Sequence, residues 1–79
     1  MEITLFDLES GKKATIKRLD GGVEFRKKLT SLNIRVEKTI RKITAQPFHG
    51  PVVIEIDHTE AAIGMDMAKK IIVVPLETE

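Results

Sequence analysis

The chain contains no cysteine, no tryptophan and no tyrosine. Without thiols it can form no disulfide, no thiolate metal site and no cysteine nucleophile, so its core must hold by packing alone. A reducing cytosol is compatible with that. The only aromatic side chains are Phe6, Phe25 and Phe48, 4% of 79 residues, which is few for a protein that stacks single-stranded bases on aromatics. No apolar run approaches the roughly 20 residues that a membrane helix needs. The opening "MEITLFDLESGKK" lacks the basic start and long apolar stretch of a secretory leader, and the chain is expected to be cytoplasmic. Neither sign of charge dominates, since 13 Lys and Arg stand against 12 Asp and Glu for a net charge of +1.

What is present is enough apolar surface to fold. With 42% hydrophobic and 32% charged residues the composition is that of a folded domain rather than a disordered one. Residues 1–79 are read as one domain, and a chain this short buries only about 60% of the surface of its unfolded form, leaving little room for a deep catalytic pocket. The balanced charge hides a local bias. From Arg26 to Lys42 the basic residues Arg26, Lys27, Lys28, Arg35, Lys38, Arg41 and Lys42 face a single acid, Glu37. Such a stripe suits an acidic protein, a phosphate backbone or lipid headgroups, and a solvated face looks the same.

The periodicity changes several times over short distances. Thr4 can cap a short turn, "TLFDL", with Leu5 and Leu8 facing inward and Gly11 ending it. "KKATIKRL" alternates, with Ala14 and Ile16 on one side, as a half-buried strand does. "DGG" marks a turn, and Phe25, Leu29 and Leu32 then recur at helical spacing while Arg26, Lys27 and Lys28 occupy the outer face. Asn33 suits the left-handed residue that closes a helix, with Ile34 beyond it as a hydrophobic cap. Val36, Ile40 and Ile43 fit a strand only if a bulge shifts the face between Ile40 and Ile43. "QPFHGP" is a loop by composition. "VVIEID" alternates again, "HTEAAIGM" reads as a turn and a short strand through Ile63, and "DMAKK" as one helical turn. "IIVVPL" is a last strand, apolar on both faces, whose Pro75 should lie at a sheet edge. Five short strands with one helix between the first and second predict a mainly β fold, closed into a small barrel because closure removes exposed edges.

"PFHGPVVIEIDH" raises the question of a metal. His49, His58, Glu55, Asp57 and Glu60 are the ligand types that ferrous iron commonly takes. Their placement argues against a shared ion. His49 falls at a hairpin tip and His58 at the far end of the returning strand, roughly 25–30 Å away at about 3.3 Å per residue. No metal and no cofactor are expected, and an exposed turn histidine is the ordinary explanation of His58. Ser10 and Ser31 lack a placed histidine, no carboxylate pair falls in a recognisable cleft, and "GKK" lacks the spacer and first glycine of a nucleotide loop. The chain is read as not an enzyme. Met65 and Met67 are read as core packing or a contact patch before soft metal ligands. The residues chosen for partner binding are Phe48, an aromatic between prolines at a loop end, with its neighbour His49, and the helix face of Arg26, Lys27 and Lys28.

In order and spacing these pieces resemble the ferrous iron transport protein A (FeoA) family, whose members are small SH3-like barrels. The resemblance runs from Thr4 to Val74 through Leu5, Leu8 and Gly11, then "GGVEFRKKLTSLNI", then "QPFHGPVVIEI", then "AAIGMDMAKKIIV". Two positions depart from the family pattern, Asn33 and Glu37, where glycines are usual. Asn tolerates the left-handed conformation. Glu does not suit it, so "RVE" is expected to adopt another turn. The resemblance implies an SH3-like barrel and a regulatory role beside the membrane ferrous iron transporter B, whose cytosolic portion contains a GTPase. The same barrel type closes iron-dependent repressors, but no helix-turn-helix is read here. Two other readings are a nucleic-acid-binding SH3-like module that uses the basic stripe, and a metal-responsive sensor. Fold alone does not choose among them.

Overall fold

The computed structural model describes residues 1–45 and 50–76. The chain starts with a two-residue strand β1 (Ile3–Thr4) and a tight turn. The turn is built from Thr4, whose side-chain oxygen accepts the Asp7 N–H at 3.1 Å and whose carbonyl accepts the Asp7 and Leu8 N–H groups. Leu5 and Leu8 are thereby aimed into the core, where both are buried. Gly11 ends the segment at φ +88, a conformation that an L side chain resists.

Strand β2 (Lys13–Leu19) follows. Ala14 and Ile16 face inward as their alternation predicts, and a bulge between Ile16 and Arg18 returns Leu19 to the same side. Helix α1 (Val23–Ser31) then begins after Gly22. It is pinned at its start by close packing, because a Cβ at Gly21 would overlap the Phe25 ring. Its end is a Schellman motif. The Ile34 N–H donates to the Leu29 carbonyl, the Asn33 N–H to that of Thr30, Asn33 stands at φ +67, and Ile34 packs back beside Leu29 in the core. The expected apolar stripe is narrower than its spacing suggests. Leu29 is buried and Phe25 half-buried, but Leu32 is exposed, since the helix ends there and the chain turns away.

Glu37 is a correction. Its turn is not replaced by another; Glu37 itself takes φ +78. The reason lies in its pairing. The Glu37 N–H donates to the Ile16 carbonyl at 2.7 Å and the Ile16 N–H to the Lys38 carbonyl at 2.8 Å. These two bonds to β2 hold the backbone against a conformational cost of about 1–2 kcal/mol. Strand β3 (Thr39–Ala45) therefore starts three residues later than the apolar pattern implied, and Val36 is exposed. A bulge does interrupt β3 in its pairing with strand β4 (Val52–Ile56), but between Lys42 and Thr44 rather than between Ile40 and Ile43, so Lys42 and not Ile43 is buried on the face of Ile40.

Strand β4 buries Val52, Ile54 and Ile56. It turns into strand β5 (Thr59–Ile63) through Asp57 and His58 alone, both at positive φ, +52 and +65. Two left-handed residues in a two-residue loop are the signature of a type I′ hairpin. Helix α2 (Met65–Ala68) is one turn, which buries Ala68 and packs Met67 on the core. Strand β6 (Ile71–Pro75) completes the sheet, in the order β1-β6-β2-β3-β4-β5, with every pairing antiparallel.

The fold is thus mainly β with α1 between the first two long strands, and it carries six strands rather than five because Ile3 and Thr4 also pair. Among the described residues the ends of the sheet, β1 and β5, are not hydrogen-bonded to each other, so the expected closure is incomplete. Strand β6 is internal. Its Pro75 nevertheless sits where one neighbour has ended, because β1 covers only Ile72 and Val73. On the other side the Leu76 N–H reaches the Lys13 carbonyl, which turns the proline nitrogen away from β2.

Candidate functional site

The outer face of α1 carries Arg26, Lys27 and Lys28, all exposed. They are outside because the only buried position of the helix is Leu29 and Phe25 is half-buried, so seven of its nine residues face water. None of the three has an ion-pair partner among the described residues. Arg26 makes a long contact of 3.5 Å to the Leu19 carbonyl. Beside them lie the exposed Val23 and a shallow depression lined by Val23, Arg26, Lys27, Thr30 and Ser31. A cationic face with an apolar spot at its edge is what an acidic protein surface can dock on.

The basic stripe read from the sequence does not stay together. Arg35 donates to the Asn33 side chain and Lys38 to Asp57 at 2.6 Å, while Asn33 also bonds Asp57, so these groups tie the helix end to the β4–β5 hairpin. Arg41 is taken by Glu55 across the sheet at 3.0 Å. Lys42 leaves the surface altogether and is 3% exposed. Its ammonium donates to the carbonyls of Leu5, Phe6 and Leu8 at 3.2, 2.8 and 2.5 Å, using all three protons. Burial pushes its pKa below the usual lysine value, and the nearby Asp7 opposes that shift. Sequence reasoning missed this role. The one signal was the alternation that puts Lys42 on the same strand face as Ile40.

Phe48 and His49 lie outside the described residues. His58 is exposed in the β4–β5 turn, as an ordinary turn histidine is. Among the described residues no three His, Asp or Glu side chains are placed to share a metal ion. No helix among them is long and apolar enough to cross a membrane.

A profile of the FeoA domain family matches residues 3–75. The fold is similar to that of an iron uptake regulatory protein (FeoA) solved by crystallography, with 28% identity, a TM-score of 0.87, and 96% of this chain and 99% of that one covered. It is also similar to iron(II) transport protein A from Clostridium thermocellum, at 26% identity and a TM-score of 0.84, over 91% of this chain and 45% of that one. A manganese-dependent transcriptional repressor shares the fold at 24% identity and a TM-score of 0.87; 95% of this chain matches 42% of the repressor. No match is found among curated proteins.

Proposed function

Because this chain belongs to the FeoA domain family, we propose that it is a cytoplasmic accessory protein of ferrous iron transport that binds the cytosolic GTPase region of the membrane transporter B. The observation that carries the reading is the α1 face, on which Arg26, Lys27 and Lys28 are exposed and free of ion-pair partners among the described residues. Of the seven basic residues between Arg26 and Lys42, Arg35, Lys38, Arg41 and Lys42 are engaged by neighbours. The other three form one exposed cluster on a single helix face. Phe48 and His49 join the proposed contact on the strength of the sequence, Phe48 as an apolar anchor in a partner's pocket.

Binding regulates the transporter by preferring one of its states, since a ligand shifts an equilibrium only through differential affinity. The part proposed is that of a binding module. Affinity capture from membranes of cells that make the transporter tests this. The unaltered chain should retain the transporter, and a variant with Arg26, Lys27 and Lys28 all changed to Glu should lose it. Equal retention by both would remove α1 from the contact, and retention by neither would reject the docking role.

A further inference from the structure

Strand β5 ends the sheet, and its register shows which of its backbone groups are spare. A two-residue hairpin makes its flanking pair, Ile56 and Thr59, a hydrogen-bonded one, and the pattern alternates along the ladder. Ala61 and Ile63 therefore bond to β4. The N–H and C=O groups of Glu60 and Ala62 point the other way, and no backbone bond is formed by any of them among the described residues. Of the usual guards this edge has no proline, no bulge and no lysine, and its one charge is Glu60. It borders a groove lined on one side by Thr59, Glu60 and Ala61 and on the other by Ser31, Leu32 and Asn33 at the end of α1, with Leu32 exposed. An open strand edge facing a helix across a groove is the geometry in which an extended peptide adds as a further strand.

The charge at the edge specifies the occupant. Glu60 lies directly opposite Glu55 on the sheet, Arg41 on the next strand is held by Glu55, and Glu60 forms no ion pair among the described residues. Like charges facing each other across strands are unfavourable, and an added strand can present a cation on the open side of Glu60. A second copy of this chain paired through its own β5 does not do so, because Thr59–Ile63 carries no lysine or arginine to set opposite Glu60.

We infer that β5 is a strand-addition site for an extended segment of another protein that carries a basic side chain opposite Glu60 and small or apolar side chains opposite Ala62. The site is independent of the role proposed for α1.

The test uses the full chain, labelled with 15N, and two capped seven-residue peptides of alternating valine and charge, one with lysines and one with glutamates. The lysine peptide should produce saturable shifts confined to β5 and the end of α1, slow hydrogen exchange at Glu60 and Ala62, and bind at least fivefold tighter than the glutamate peptide. Ala62→Pro should abolish binding and leave the fold intact, because the nitrogen it alters points away from β4. Should that variant fail to fold, Glu60→Lys provides the decision by reversing the preference toward the glutamate peptide. No shift at millimolar peptide, equal affinity for both peptides, or protection of Glu60 and Ala62 that grows with protein concentration in the absence of peptide would each overturn the assignment, the last in favour of self-pairing.

Discussion

Replacing Lys42 by methionine isolates the interaction that fastens the first turn of the chain to the sheet. The ammonium gives one proton each to the carbonyls of Leu5, Phe6 and Leu8. Hydrogen bonds to a charged donor contribute about 1.5–3 kcal/mol each, or roughly 4–9 kcal/mol together. Removing the charge from the interior returns several kcal/mol of desolvation. What is not returned is the pairing of the carbonyls. Leu5 still accepts the Leu8 N–H, but Phe6 and Leu8 keep no other backbone donor among the described residues. The net loss for Lys42→Met should be about 2–4 kcal/mol, a large part of the roughly 4–12 kcal/mol expected for a domain of this size. At about 4–8 °C per kcal/mol, Tm should fall by roughly 10–30 °C.

Urea unfolding at neutral pH, followed by circular dichroism, measures it. Hydrogen exchange should show the turn from Leu5 to Gly11 opening first. A change of less than about 1 kcal/mol would refute the reasoning, because the three carbonyls would then be satisfied by water as well as by Lys42. A pH series adds a sign. Burial lowers the folded-state pKa of Lys42 below that of the unfolded chain. In the alkaline window between the two, the unfolded state therefore binds more protons. Stability contributed by Lys42 must then rise with pH in that window, and the gap between the unaltered chain and Lys42→Met must widen. A narrowing gap would mean that the carbonyls raise the pKa more than burial lowers it.

Other expectations follow from single residues. Glu37→Gly should raise stability by about 0.5–1 kcal/mol, because φ +78 costs a glycine little and the exposed 3.9 Å contact to Lys17 contributes almost nothing; an unchanged urea midpoint would mean that the strain is absent. Asn33→Gly should be nearly neutral, while Asn33→Val should lose about 1–2 kcal/mol at the left-handed helix end. Gly21→Ala should cost about 1–3 kcal/mol, since the new methyl displaces the Phe25 ring; differential scanning calorimetry resolves both of these. Phe48→Ala should weaken capture of the transporter and leave Tm within a few degrees, and intact capture would discard that residue as a contact.

Much of this fold was legible before any coordinates because short-range rules coincide with the tertiary demand. Ala14 and Ile16, then Val52, Ile54 and Ile56, alternate because one face of each strand is buried. Asn33 followed by Ile34 announces a Schellman end, and the structure forms it. The misreadings share a cause, which is tertiary pairing overriding a local preference. Glu37 is forced left-handed by two bonds to Ile16, and Leu32 is exposed because the helix stops one residue before the stripe would bury it. Charge is the least legible quantity. Seven basic residues look alike in a sequence, yet Lys42 is internal, Arg35, Lys38 and Arg41 are engaged by neighbours, and Arg26, Lys27 and Lys28 are exposed with no ion pair among the described residues. The candidate surface was therefore visible as a helix face, whereas its separation from the rest of the stripe required the positions of Asn33, Asp57, Glu55 and the first turn.

The most direct test of the docking claim is a calorimetric titration of the purified cytosolic GTPase region of the ferrous iron transporter with this chain, at low and at physiological salt, repeated with Arg26, Lys27 and Lys28 changed to Glu. Saturable binding that weakens as salt rises, and that falls at least tenfold in the charge-reversed variant while its Tm stays within a few degrees, is the predicted result. No heat of binding with the unaltered chain under either condition, with both proteins folded, would contradict it.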